Sequence, residues 1–183
     1  MKILVLAAEF PATTSMPGSP RLFNLCRELA RRHQLTLLCR SSKAEQETAF
    51  REDTATHGVF HEIQTIPPPP KLHPGSVSWT RRQLHRFSLV PSFVTQFRSP
   101  RYWRSTVSTV REAIDRHAPD LVYCDGLDMA QYLPWRSDIP TVVDYCDSLT
   151  NLFSQRTSKE TSLKRRAALW LETRAIARWE VRI

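Results

Sequence analysis

Four aspartates stand just after or at the end of apolar, strand-like runs. Asp125 and Asp128 follow Leu121-Val122-Tyr123-Cys124, while Asp144 and Asp147 close the run Thr141-Val142-Val143. A carboxylate placed there can accept hydrogen bonds from a ligand's hydroxyls or take a proton from one of them. Aspartate also caps helices and closes turns. Asp125 and Asp147 therefore stand as candidate catalytic groups beside that structural reading, Asp144 as a candidate ligand contact, and Asp128 as a cap. A second group is Gly18-Ser19-Pro20. Glycine lets backbone pass close to a ligand, and a helix N-terminus favours an anion. Ser19 suits the cap and Pro20 the first turn. Gly18 and Ser19 are candidate ligand-binding residues, with a plain loop glycine before a capped helix as the alternative. Arg81 and Arg82 are further candidates, because they lie in a strongly basic stretch.

The elements that must position these residues follow from periodicity. Lys2 to Ala8 and Leu35 to Cys39 are short continuous apolar runs, as in strands buried on both faces. Between them Leu22, Leu25, Cys26, Leu29 and Ala30 recur at helical spacing, with Arg31-Arg32-His33 suiting the last turn. Ser42 to Thr56 predicts a surface helix, Val59 to Ile66 an alternating strand, and Tyr102 to His117 a helix. Strands are expected at 119–124 and 139–145, a short helix over Met129 to Trp135, and another beginning at Leu149. Lys159 to Ile183 predicts one long helix with Leu163, Ala167, Trp170, Leu171, Ala175 and Trp179 on a single stripe. Five strands alternating with helices predict an α/β fold, a Rossmann-like doubly wound sheet that is mostly parallel. Ligands of such sheets bind beyond the carboxyl ends of the strands. The 183 residues are read as one domain with a basic, aromatic insertion over 67–104.

Net charge is +8, and its placement is uneven. Between Glu62 and Glu112 there is no acid, while Lys71, Arg81, Arg82, Arg86, Arg98, Arg101, Arg104 and Arg111 fall in that stretch. Such a patch points to an anionic partner. Arginine interleaved with Trp79, Phe87, Phe93 and Trp103 suits a membrane interface or stacked single-stranded nucleic acid. Core aromatics beside solvated arginines are the third reading; a nucleic-acid partner is the least favoured and is not expected. The four cysteines, Cys26, Cys39, Cys124 and Cys146, form no Cys-x-x-Cys pair, so a zinc site or disulfide framework is not indicated. No metal and no cofactor is expected. The N-terminal run lacks a small-residue cleavage site, which predicts a cytoplasmic protein.

The order Met1-Lys2-Ile3-Leu4-Val5-Leu6, Phe10-Pro11, Pro17-Gly18-Ser19 and the helix after it resembles the start of GT-B glycosyltransferases, most of all the large retaining family 4. Pro119-Asp120-Leu121-Val122 is similar to a strand of that family, and Ile139 through Asp147-Ser148 resembles the next, in the form seen in its exopolysaccharide-biosynthesis branch. The resemblance implies an acceptor-binding half-domain, with the nucleotide-sugar donor held by a second, C-terminal domain absent here. It implies transfer of a sugar from a UDP- or GDP-sugar to a hydroxyl with retention, in bacterial polysaccharide or glycolipid synthesis, and no turnover by this half alone. The donor enters as co-substrate. The acceptor would be a hydroxyl compound that can be lipid-linked, which fits peripheral attachment at the inner face of the plasma membrane. Many relatives carry histidines where this chain has Asp125 and Cys146.

A non-enzymatic module that binds a membrane or a partner protein is the rival reading. A nicotinamide-dependent oxidoreductase is a weaker one, since only four glycines occur and no Gly-x-Gly-x-x-Gly follows a strand. Glu172 and Glu180 copy a family spacing that belongs to the donor domain. They are read instead as part of a solvated, salt-bridged helix face.

Overall fold

A computed structural model describes residues 1–11, 13, 18–41, 44–70, 90–134, 138–145 and 148–181. The chain divides into two compact units, Met1–Pro68 with Ser105–Asp144, and Pro69–Arg104 with Tyr145–Ile183.

The first unit is α/β. Its strands are β1 (Lys2–Ala7), β2 (Gln34–Arg40), β3 (Glu62–Ile66), β4 (Leu121–Asp125) and β5 (Thr141–Asp144). They form one sheet in the order β3-β2-β1-β4-β5, and every neighbouring pair is parallel. This is the Rossmann-like, doubly wound arrangement expected from the alternating pattern. Strands β1 and β2 are apolar throughout because both of their faces are covered. Ile3, Val5, Leu35, Leu37 and Cys39 pack in one cluster with Leu22, Phe23, Cys26, Phe10 and Phe50. Leu4, Leu6, Leu38, Val122 and Cys124 are buried on the opposite face. Strand β5 lies at the sheet edge, which leaves Val142 exposed.

Helix α1 (Pro20–Ala30) starts where the sequence predicts. The Leu22 N–H donates to the Ser19 hydroxyl at 3.2 Å and proline opens the first turn. Its inward face is Leu22, Phe23 and Cys26, with Leu25, Leu29 and Ala30 half-buried against the same cluster. Helix α2 (Ala44–Glu52) is shorter than expected and passes into a 3-10 turn at Thr54–Thr56. The Thr56 hydroxyl donates to the Phe50 carbonyl there, at 2.8 Å. Phe50 is fully buried, stacked on Phe10 with ring centroids 4.7 Å apart. Helix α3 (Thr95–Arg98) precedes α4 (Pro100–His117), of which Thr106, Val110, Ala113 and Ile114 are buried. The short helix expected over Met129–Trp135 instead runs Leu127–Ala130 (α5), because Gly126 turns the chain directly after β4.

The second unit contains α3, α6 (Leu149–Lys159) and α7 (Leu163–Glu180). Helices α6 and α7 are antiparallel: Thr150 meets Glu180 at one end, and the Thr157 and Thr173 hydroxyls lie 3.4 Å apart nearer the turn. The long helix expected from Lys159 is present but starts at Leu163, since Lys159 closes α6 and Glu160–Ser162 connects the two. The expected stripe is also divided. Of its members Ala175 is buried, whereas Leu163 and Trp170 are exposed. Glu172 and Glu180 leave the expected salt-bridged face, with no ion pair to either among the described residues. Glu172 accepts from the Ser92 N–H at 2.5 Å, and Glu180 accepts from the Thr150 hydroxyl at 2.6 Å and the Ser148 hydroxyl at 3.3 Å. The physical reason is that α6 and the 90–94 segment present donors to that side of α7. Among the described residues no helix is long and apolar enough to cross a membrane.

Candidate functional site

In a sheet of order 3-2-1-4-5 the chain reverses its direction of build between β1 and β4, and the crevice beyond their carboxyl ends is where ligands bind in such folds. Asp125 is the last residue of β4. It sits in register with Ala7 at the end of β1 on one side and with Asp144 at the end of β5 on the other. The N-terminus of α1 comes to this edge too, because Arg21 in its first turn reaches Asp144.

The two neighbouring carboxylates live in different surroundings. Asp144 pairs with the Arg21 guanidinium at 2.8 Å and accepts a hydrogen bond from the Tyr123 hydroxyl. Burial pushes its pKa up, but the Tyr123 hydroxyl and the Arg21 guanidinium outweigh that and hold the carboxyl below the usual carboxylate range. The Tyr123 phenol is in turn raised, by burial first and then by Asp144. Asp125 accepts no hydrogen bond from any described residue. Burial, and then the charge of Asp144, raise its pKa above the ordinary value, with Asp128 and Glu9 adding to the effect and Arg21 opposing it. A pair of carboxylates pushed apart in this way contains one settled anion and one group prepared to take a proton.

A second ion pair closes the flank. Arg40, at the carboxyl end of β2, pairs with Asp128 and donates from Nε to the Ala8 carbonyl at 3.3 Å. Asp128 is therefore an ion-pair partner and not the cap that its position suggests. The turn between Asp125 and Asp128 needs Gly126. Its φ is +92°, and a Cβ there would stand 3.1 Å from the Asp128 Oδ1 atom. The Gly126 N–H donates to the Asp144 carbonyl at 2.8 Å, which ties the two carboxylate-bearing strand ends together.

Ser19 pairs with Pro11 in an isolated parallel bridge, so Gly18-Ser19 is held against the chain leaving β1. Arg21 and Arg40 at this edge each face an acid. Asp125 is in no ion pair among the described residues, and Glu9 adds to the negative field on it.

Of the residues singled out from sequence, Gly18, Ser19, Asp125 and Asp144 belong to this edge, with Asp144 engaged by the protein's own side chains. Asp147, Cys146, Arg81 and Arg82 lie outside the described residues. Sequence reasoning missed Arg21, Arg40 and Tyr123. Arg21 carries a signal in hindsight: a cation in a helix's first turn opposes the helix dipole, which an acid partner offsets. Cys26, Cys39 and Cys124 are buried free thiols, and burial is the first cause that pushes Cys26 and Cys39 up to about 12.

Fold and edge together define a Rossmann-like α/β domain with a half-buried carboxylate, Asp125, at the carboxyl edge of its sheet. No protein-family model matches the chain, and no curated protein matches it.

Proposed function

We propose that this chain is the acceptor-side, Rossmann-like half of a retaining glycosyltransferase, and that the Asp125 edge holds the hydroxyl compound to be glycosylated. One observation carries the reading: of two carboxylates in register at the switch crevice, Asp144 is engaged by Arg21 and Tyr123, whereas Asp125 accepts no hydrogen bond among the described residues. The order of sequence features that resembles GT-B enzymes supports the same assignment.

In this role Asp125 accepts a hydrogen bond from the reacting hydroxyl and orients it. Its raised pKa makes it a stronger proton acceptor than an ordinary carboxylate. In the transfer, the bond between the sugar's anomeric carbon and the diphosphate oxygen breaks. A bond from that carbon to the acceptor oxygen forms on the same face, and the acceptor's proton leaves with a base. The donor, a UDP- or GDP-sugar, belongs to a second domain. The N-terminus of α1 behind Gly18-Ser19 is the element of this half that would approach its diphosphate. Synthesis of a bacterial polysaccharide or glycolipid on the cytoplasmic side is the setting that fits.

Saturation-transfer NMR on the purified chain with a panel of mono- and disaccharides tests the reading. Saturation of sugar protons is expected, and Asp125→Asn should weaken binding about 10- to 100-fold, as loss of a hydrogen bond to a charged group does. Absence of any sugar signal, together with tight binding of a nicotinamide dinucleotide, would replace this reading with an oxidoreductase.

A further inference from the structure

Helix α7 carries apolar side chains on both of its faces. The inward set is Ala175 and Ile176, both buried. The outward set is Leu163, 71% exposed, Trp170, 49% exposed, and Val181 just beyond the last turn, 89% exposed. At about 100° per residue these three fall within about 20° of one line along the helix. Arg166, Arg174 and Arg178 lie within about 60° of the same line, and all three are exposed. Arg174 stacks on the Trp170 ring, 4.7 Å from its centroid. None of the three arginines is in an ion pair among the described residues.

The acids of α7 are on other sides. Glu172 lies about 180° from Leu163 and Glu180 about 100° from it, and both accept hydrogen bonds from within the unit. The outward face is therefore free of acids, cationic and studded with exposed hydrophobes along its whole length. Lys164, also exposed, flanks it. A cavity of about 350 Å³ lined by Phe153, Ala168, Leu169 and Glu172 opens on the inward side of α7 and takes no part in this face.

We propose that the outward face of α7 docks on an anionic lipid surface. A leucine and a tryptophan in line along a helix of 18 residues, with a valine just past its end, suit a planar apolar–polar boundary. The arginines between them match anionic headgroups, and tryptophan prefers that boundary. A second copy of the same face would bring arginines against arginines, which disfavours symmetric self-association through it. This inference concerns the second unit alone and holds whichever ligand occupies the Asp125 edge, so the two fail separately.

The test is co-sedimentation of the full chain with vesicles of equal parts phosphatidylglycerol and phosphatidylcholine, against vesicles of phosphatidylcholine alone. Binding to the anionic vesicles is expected, weakened by salt. Arg166→Gln and Arg178→Gln should each reduce partitioning about fivefold, and Leu163→Ser with Trp170→Ser should remove the part that resists salt. All four positions are exposed, so far-UV circular dichroism should be unchanged. As a second readout, lipids brominated on their acyl chains should quench tryptophan emission, and Trp170→Phe should remove most of that quenching. The proposal is overturned by absence of vesicle binding, by binding that survives the four substitutions, or by quenching that Trp170→Phe leaves intact. It is equally overturned if the outward face instead drives concentration-dependent dimerisation in the ultracentrifuge.

Discussion

Asp125 and Asp144 are register partners on adjacent parallel strands, yet the protein drives their carboxyl groups in opposite directions. Asp144 has a guanidinium and a phenol; Asp125 has a desolvated position beside another anion. One is thereby an ion-paired anion and the other a desolvated carboxylate without an ion pair among the described residues.

The pair predicts opposite pH behaviour. The folded-state pKa of Asp125 is raised, so its protonated form favours the fold. That contribution is complete below the unfolded carboxylate value, about 4, and is lost as pH rises through the folded value. Asp125→Asn should unfold at a higher temperature than the parent chain at pH 7, and the two should converge below about pH 4. Thermal unfolding across this range checks it; a lower Tm for the variant at pH 7 contradicts the assignment.

For Asp144 the sign reverses. Its folded pKa is lowered, so its stabilisation is present above the unfolded value and lost as pH falls through the folded one. Asp144→Asn should cost about 1–3 kcal/mol at pH 7 through the weakened partners of Arg21 and Tyr123, and less in acid. Tyr123→Phe should cost about 1 kcal/mol, and Arg21→Gln no more than about 1 kcal/mol because that guanidinium is more than half exposed. Urea titrations of the single and double variants should show coupling between positions 21 and 144.

Gly126→Ala forces a side chain into a positive-φ turn and against Asp128. A cost of about 1–3 kcal/mol is expected, and the Arg40–Asp128 pair should be disturbed with it. Equilibrium unfolding measures the cost, which should shrink in the Asp128→Gly background, where the 3.1 Å contact is absent.

Ser19→Ala removes the acceptor of the Leu22 N–H and should lower stability by about 1 kcal/mol, whereas Ser19→Gly should cost only a few tenths. An equal loss from both would show that the hydroxyl does not act as a cap.

Cys26, Cys39 and Cys124 should stay unlabelled by a disulfide reagent in the native state and react on denaturation, because burial disfavours their thiolates. Fast native-state labelling of Cys124 would place the carboxyl edge of β4 closer to solvent than its burial indicates.

The α/β class was legible in the sequence because it rests on short-range pattern. Apolar runs at 2–7 and 34–40 announce strands covered on both faces, and Ser19-Pro20 announces a helix start. Asp125 was legible as a strand-end carboxylate for the same reason. Three things were not legible, and each depends on residues far apart in the chain. Arg21 meets Asp144 across 123 positions, which no local spacing encodes. Asp128, whose position suggests a cap, pairs with Arg40 because parallel β2 and β4 end at the same edge of the sheet. Helix α7 has apolar residues all round, so periodicity merges its two faces into one stripe. Only packing against α6 and the 90–94 segment decides that Glu172 and Glu180 turn inward while Leu163 and Trp170 face out. Local pattern determined the strands, most of the helices and the α/β class. Which charges neutralise one another and which apolar side chains stay exposed was decided by the packing of distant segments, because both are set by distance in space and by desolvation.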